Sequence, residues 1–124
     1  MAVGFQDLLQ DLFDPIGGVS FERMFGGVGV FRQGMMFALV AEDTLYLKAD
    51  ETTRPAHEAE GCGPFDYESK RGTVSTSYWR LPERLYDEPE AFRDWALAAF
   101  GVAERAQKKK PQKRKRKTWP AAES

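Results

Sequence analysis

The stretch RMFGGVGVFRQGMMFALVAEDTLYLKAD, residues 23–50, decides the fold of this chain. It contains three runs of β-branched, aromatic and other apolar residues: Val28 to Arg32, Met35 to Ala41 and Thr44 to Lys48. The pairs Gln33-Gly34 and Glu42-Asp43 separate these runs, and polar or glycine pairs in such positions are typical of tight reversals. The stretch therefore predicts an antiparallel meander, preceded by one more strand that starts at Val19 and runs through Phe21 to Phe25.

The run Met35 to Ala41 is apolar at every position, which is unusual for a strand with one face in water. Both faces of this strand are therefore expected to be covered. Two coverings are considered: a second copy of the chain in a homodimer, or a sheet face wrapped by the two longer helices.

Helical periodicity flanks this β-rich centre on both sides. Apolar residues at i, i+3, i+4, i+7, i+8 and i+11 predict a first helix that ends near Asp14, before Pro15. The same rhythm predicts a last helix, with Asp87 and Glu90 as its capping pair. The two apolar stripes are Phe5, Leu8, Leu9, Leu12, Phe13 and Ile16, and Phe92, Trp95, Ala96, Ala99, Phe100 and Ala103.

Two further elements lie between the meander and the last helix. Asp50 to Gly61 predicts a short helix, and Phe65 to Tyr67 with Thr73 to Arg80 predicts a second hairpin around Lys70-Arg71-Gly72. The order is α, three or four β, α, two β, α. The sequence thus predicts an α+β fold in residues 1–104, a two-layer sandwich with an antiparallel sheet of about five strands.

Several of these segments resemble the N-terminal domain of the TfoX/Sxy family. The resemblance starts with Arg23, Met24, Phe25, Gly26 and Gly27 and continues with Tyr46, Leu47 and Lys48. It then extends through Pro64-Phe65-x-Tyr67, Ser77-Tyr78-Trp79-Arg80-Leu81-Pro82 and the helix after Asp87, so it covers roughly residues 5 to 104. It implies the two-layer α+β sandwich and a role related to bacterial competence regulation. Full-length regulators of the family carry a second, helical domain, whereas this sequence continues into a basic segment.

The basic segment gives the chain a strong charge asymmetry. Residues 1–104 hold 9 basic and 18 acidic side chains (net −9), and residues 105–124 hold 9 basic and 1 acidic (net +8). A self-repelling run without apolar groups predicts a disordered tail. Clusters of basic side chains beside an aromatic residue can neutralise the phosphates of a nucleic acid without reading its bases. The candidate nucleic-acid residues are Arg105, Lys108, Lys109, Lys110, Lys113, Arg114, Lys115, Arg116, Lys117 and Trp119. A solubility tail and a tether to the acidic body are the alternatives.

Few residues in the chain suit catalysis or metal binding. The sequence has one histidine, His57, and one cysteine, Cys62, which we interpret as a solvent-facing helix residue and a loop residue. Gly26, Gly27 and Gly29 lack the context of a phosphate-binding loop and instead favour a bulge or a positive φ. Arg23 is expected to form a structural ion pair. No cofactor, metal or catalytic residue is therefore expected.

The single cysteine excludes an intrachain disulfide and fits a reducing compartment. No apolar run approaches the length of a membrane span, and Asp7 and Asp11 occupy the place where a signal peptide is positive. We expect a cytoplasmic, non-enzymatic regulatory or interaction domain that binds a protein partner, nucleic acid through its tail, or both. A protein-binding module acting through its sheet face without a nucleic-acid role is one alternative, and a small enzyme is the second.

Overall fold

The structure, a computed structural model, describes residues 2–24 and 26–109. In this part of the chain there are three α-helices, which are α1 (Ala2–Phe13), α2 (Arg54–Ala59) and α3 (Pro89–Lys109). The strands are β1 (Val19–Met24), β2 (Gly27–Arg32), β3 (Met35–Ala41), β4 (Thr44–Lys48), β5 (Pro64–Ser69) and β6 (Gly72–Arg80). Short 3-10 turns at Asp14–Ile16 and Glu83–Asp87 follow α1 and precede α3.

All six strands belong to one antiparallel sheet with the order β1-β2-β3-β4-β6-β5. The α+β fold and its element order are confirmed, with four strands before α2, two after it and six in all. The second hairpin joins the meander through β6, which pairs with β4, so β1 and β5 form the two edges of the sheet.

The two-residue turns predicted from the sequence are both present. Gln33 and Gly34 have φ angles of 55° and 78°, and Glu42 and Asp43 have φ angles of 52° and 58°. Two successive residues with positive φ define a type I′ turn, whose twist matches that of the flanking strands. This geometry fixes the register of β2, β3 and β4.

One face of the sheet carries the hydrophobic core. Phe13 of α1 lies 5.8 Å from Phe37 of β3 and 5.0 Å from Phe92 of α3, measured between ring centroids. Phe37 also meets Phe100 of α3 edge-on at 5.6 Å. Edge-to-face contacts of this kind are the preferred geometry of aromatic pairs. Both long helices therefore cover the same face of the sheet, and they leave the other face without a helix.

A β-bulge in β3 explains why that strand is apolar throughout. Val30 of β2 pairs with Ala38, but the next residue, Phe31, pairs with Met36, so Phe37 is an extra residue. Phe37 and Ala38 are both fully buried in the core. A bulge places two residues opposite one and shifts the alternation of side chains. Met36 and Leu39 consequently point to the face without helices.

Two helix boundaries differ from the sequence prediction. The helix expected from Asp50 to Gly61 is shortened to α2, because the Asp50 carboxylate accepts the backbone N–H of Thr52 at 2.9 Å and holds residues 51–53 in turns. The proposed cap Asp87 lies in the 3-10 turn, and α3 begins at Pro89, with Phe92 N–H bonded to Glu88 O at 2.8 Å. Proline is favoured at the first helical position, where its missing N–H has no helical partner.

The C-terminal boundary of the folded part also differs. The predicted tail starts at Arg105, but α3 continues without interruption to Lys109. Arg105 is held there because its guanidinium bonds to Asp50 Oδ2 at 3.0 Å and to Thr52 Oγ1 at 3.1 Å. Residues 105–109 are therefore helical, and the predicted disorder of residues 110–124 concerns a segment outside the described residues.

Candidate interaction surfaces

The family-motif residues line a groove between α1 and the sheet. Its walls include Arg23, Met24, Gly26 and Gly27 of the motif, and its volume is about 760 Å³. Phe5 and Leu9 of α1 and Phe21, Val28 and Val40 of the sheet provide an apolar lining. The motif therefore shapes one defined surface, which we call the motif groove. The remaining motif residue, Phe25, lies outside the described residues.

Of the two motif glycines, Gly26 has the expected positive φ, whereas Gly27 is required for a different reason, the close approach of another strand. Gly26 has a φ of 80°, a conformation that residues with a side chain rarely adopt. A Cβ atom at Gly27 would lie 2.5 Å from the backbone oxygen of Val40, so only glycine fits between β2 and β3. Both positions shape the backbone of the groove, and neither precedes a helix that could hold a phosphate.

The ion pair expected for Arg23 is absent within residues 2–24 and 26–109. Its side chain is exposed at the groove, whose rim also includes Glu42 and Asp43 of the turn between β3 and β4. The groove thus combines an apolar lining with one cationic and two anionic side chains.

The second surface is the sheet face opposite the helices, which we call the open face. Three side chains converge over Gly29. Measured from the position that a Cβ atom on Gly29 would take, Met24 Sδ lies at 2.7 Å, Phe31 Cε1 at 2.9 Å and Met36 Sδ at 3.3 Å. None of these side chains contributes to the helix-side core. The same face carries Leu39, Tyr46, Phe65 and Tyr67, with ring centroids 4.9 Å apart for Tyr46 and Phe65 and 6.3 Å for Phe65 and Tyr67.

The second motif segment contributes to both faces of the sheet. Leu47 is buried in the core, while Tyr46 and Lys48 lie on the open face. Burial raises the pKa of Tyr46, and the charge of Glu42 adds to this rise while Arg80 opposes it. Burial also raises the pKa of Tyr78 to about 12, so both phenols are neutral at physiological pH.

Strict alternation along β6 holds for Trp79 and Arg80 but not for Ser77. Trp79 faces the helices, and Arg80 pairs with Tyr46 across the sheet. Alternation predicts that Ser77 lies on the same face as Trp79 and on the opposite face from Tyr78. Instead, Lys48, whose side chain lies on the open face, donates from Nζ to Ser77 Oγ at 3.0 Å, and the same Nζ lies 4.9 Å from the Tyr78 ring centroid. The hydroxyl of Thr76 bonds to both the N–H and the carbonyl of Tyr78, which marks a local irregularity of the strand.

His57 is buried, which corrects its predicted exposure, and Cys62 is a buried loop residue. His57 is 2% exposed, and its ring lies 5.0 Å from that of Trp95 and 6.1 Å from that of Trp79. Its Nδ1 lies 2.9 Å from Arg80 O, so this nitrogen carries the proton and donates it. Burial lowers the pKa of His57, although the bond to Arg80 acts against this shift.

Cys62 is 5% exposed, and burial raises the pKa of its thiol, which disfavours the reactive thiolate. His57 and Cys62 lie together, since Cys62 N–H donates to His57 O at 3.0 Å. Arg23 is on β1, four strand positions away from β6, against which α2 packs. At about 4.8 Å per strand, this places Arg23 on the order of 19 Å away, and the three groups do not form one site.

No cluster of three or more potential metal-ligating side chains occurs among the described residues. None of the described helices has the combination of length and apolarity that crossing a bilayer requires.

The basic residues of the predicted nucleic-acid site fall into three groups. Arg105 is engaged with Asp50, and Lys108 is exposed near the end of α3, in which Lys109 is the last residue. Lys110, Lys113, Arg114, Lys115, Arg116, Lys117 and Trp119 lie outside the described residues. Burial alone would raise the pKa of Asp50, but hydrogen bonds from Thr52 and Arg105 lower it to about 2. This carboxylate therefore remains a charged partner of Arg105 down to acidic pH.

Sequence reasoning missed the open face because its residues are distributed over six strands. The one available signal was the uninterrupted apolar run of β3, which indicated a covered second face without showing which side chains form it. Pairing and the bulge bring Met24, Phe31, Met36 and Leu39 together, and neither feature can be obtained from local periodicity.

The fold is that of a small α+β domain with one helix-covered and one open sheet face. Residues 11–103 match the family model for the TfoX N-terminal domain. The chain belongs to this family. It is also similar to the DNA transformation protein TfoX1 of Aliivibrio fischeri, with 30% identity over 74 residues. The matched region covers 60% of this chain and 35% of that relative, so the similarity concerns about a third of the longer protein.

Proposed function

We propose that this chain is a non-enzymatic regulatory domain that acts by binding macromolecules, in a transcription- or competence-related role. The observation that carries the proposal is the motif groove, where four residues of the first motif segment, Arg23, Met24, Gly26 and Gly27, line a surface instead of packing only in the core. The described residues contain no convergent set of catalytic groups around it. The similarity to a DNA transformation protein supports a role of this kind.

The basic segment gives the proposal a nucleic-acid component. Residues 110–124 hold six basic residues and one acidic residue, so they carry a net charge of +5, and they follow directly on the exposed Lys108 and the end of α3. Residues 1–109 carry 12 basic and 18 acidic residues, a net charge of −6, and would repel a polyanion. Contact with phosphates is therefore confined to the end of α3 and the segment beyond it, and it carries no sequence specificity.

The test is a truncation that leaves α3 complete. A chain that ends at Lys109 keeps α3 and the Arg105–Asp50 ion pair, whereas a cut after Glu104 would remove the last turn of the helix. We expect the shortened chain to lose binding to duplex DNA and to RNA at low salt and to keep its melting temperature. For the intact chain, log affinity should fall with log salt by about 0.9 for each phosphate neutralised on duplex DNA.

A matched control distinguishes the effect of charge on nucleic-acid binding from the effect of chain length. In this variant glutamine replaces the six basic residues Lys110, Lys113, Arg114, Lys115, Arg116 and Lys117 in the intact chain. It should bind as weakly as the truncated chain, because electrostatic contact depends on charge. Equal affinity of the truncated and intact chains, or no binding by the intact chain at low salt, would remove the nucleic-acid component from the proposal.

A second candidate function is protein binding through the sheet face without any nucleic-acid role. The apolar and aromatic character of the open face favours it, since contiguous exposed apolar surface marks interaction sites. A variant with Leu39→Glu on this face and an intact basic segment separates the two functions. Nucleic-acid binding should survive this change, and protein binding through the face should not.

A further inference from the structure

The open face has an apolar centre and opposite charges on its two sides. One row of directly paired residues crosses five strands at the same height: Glu22, Gly29, Leu39, Tyr46 and Arg80. Glu22 and Arg80 are exposed at the two ends of this row, and Leu39 lies in its middle. The row spans four strand intervals, or about 19 Å at about 4.8 Å per strand.

We propose that the open face binds a second copy of this chain, with the two sheets packed face to face about a two-fold axis parallel to the strands and centred on β3. This rotation places β1 of one copy over β6 of the other and β2 over β4, because β3 is equally far from both members of each pair. Each Glu22 then faces Arg80 of the second copy. Leu39 packs against its own counterpart at the centre.

The charges select this axis over the alternative one. A two-fold axis perpendicular to the strands would place Glu22 over Glu22 and Arg80 over Arg80, and like charges in contact are unfavourable. The axis along the strands forms two ion pairs on opposite sides of an apolar centre, the arrangement of core and rim found in protein interfaces. It also keeps the strand directions of both sheets aligned, as in β-sandwiches.

The apolar centre is suited to self-packing. Met24 and Met36 place flexible thioether side chains around Phe31 above Gly29, and methionine adapts its shape to irregular surfaces. Six strands about 4.8 Å apart and about six residues long give a face on the order of 500 Å². Counted on both copies this is about 1,000 Å², below the range of stable complexes and typical of weak, transient ones, so the dimer should dissociate on dilution, with a dissociation constant in roughly the micromolar range.

Sedimentation velocity over a wide dilution series tests the assembly. The intact chain should shift from dimer to monomer on dilution, and Leu39→Glu should be monomeric throughout, because it buries two facing carboxylates at the centre. Leu97→Glu is the matched control: Leu97 is 40% exposed on α3, on the helix side of the molecule, so the same change there should leave dimerisation unaltered.

Charge reversal tests the orientation. Glu22→Arg and Arg80→Glu each convert both ion pairs of the dimer into like-charge contacts and should weaken association by about tenfold or more. The double variant Glu22→Arg/Arg80→Glu restores both pairs and should recover most of the affinity. Circular dichroism of each variant should match that of the unmodified chain.

Three results would overturn the inference. An intact chain that stays monomeric over the whole dilution series has no dimer on this face. A Leu39→Glu variant that associates as the intact chain does would place the contact elsewhere, for example at the edge of β1. A chain ending at Lys109 that dimerises when the intact chain does not would show that residues 110–124 occupy the open face.

Discussion

At the scale of single residues, His57 is the buried ionisable group with the clearest consequence. It is neutral between Trp79 and Trp95 and donates its Nδ1 proton to the carbonyl of Arg80. An imidazole in this position contributes packing and one hydrogen bond, and its lowered pKa reflects the cost of placing a charge there.

This arrangement predicts a pH dependence of stability. The unfolded imidazole has a pKa of about 6.5, above that of the folded state, so between the two values the unfolded chain binds more protons. The free energy of unfolding should therefore decrease as pH falls from about 7.5 towards 5.5. Urea unfolding at successive pH values measures this decrease, which is attributable to His57 because the chain has no other histidine.

The matched variant for this measurement is His57→Gln, whose side-chain amide can still donate a hydrogen bond but does not titrate. Its stability should be lower overall and nearly constant over the same pH range. A wild-type stability that does not change between about pH 7.5 and 5.5 would contradict a neutral, buried His57.

Gly27 gives a second prediction at this scale. The Cβ of Gly27→Ala would lie 2.5 Å from Val40 O, and because that atom belongs to the backbone, β2 and β3 must move apart. We expect a loss of roughly 1–3 kcal/mol in the free energy of unfolding, together with a changed motif groove. Gly63→Ala is the control, since its Cβ would meet no atom within 4 Å. Equal stabilities of the two variants would show that β2 and β3 separate at little cost.

At the scale of elements, α3 is the main cover of the sheet. Phe92 is fully buried against Phe13, whereas Trp95, from the same apolar stripe, is only partly buried beside His57. The stripe predicted from helical periodicity is therefore confirmed, but its residues differ in how much apolar surface they bury.

Phe92→Ala should consequently be the more damaging truncation in α3. Removing a fully buried aromatic ring costs about 3–5 kcal/mol, a large part of the stability of a domain of this size. Leu97→Ala, on the exposed side of the same helix, should cost well under about 1 kcal/mol. Thermal or urea unfolding measures both, and a Phe92 variant as stable as the Leu97 variant would mean that α3 packs on the sheet through another face.

Local sequence signals were sufficient for the elements but not for their exact ends. The bounds of β3 and β4 and the positions of both turns follow from the apolar runs and from the polar or glycine pairs between them, whereas the type of the turns was not predicted. The end of α3 was missed because Arg105 was assigned to the basic run, although it pairs with Asp50, 55 residues earlier in the chain. Contacts across such a distance leave no periodic pattern in the sequence.

At the scale of the whole molecule, one sheet face is covered by helices and the other is open with opposite charges at its two sides, and the sequence did not show which side chains form the open face. The layer order and antiparallel sheet were predicted, but the six-strand order places β6 between β4 and β5. That order brings Arg80 into the row with Tyr46 and Leu39, and it thereby gives the open face its opposite charges at the two sides. The motif groove likewise combines residues of α1 and β1, which pack together only in the folded chain.

The position of the end of α3 has a consequence for any pair of copies that share the open face. The Arg105–Asp50 contact holds the helix end beside the residues that follow β4, at one end of the sheet. A rotation about an axis parallel to the strands does not exchange the two ends of the sheet, so both α3 helices would end at the same end of the paired sheets. Two basic segments that begin at the same end of the paired sheets, each on the outer side of its own sheet, can contact one nucleic-acid strand together, and the pair would bind a strand long enough to reach both more tightly than either copy alone.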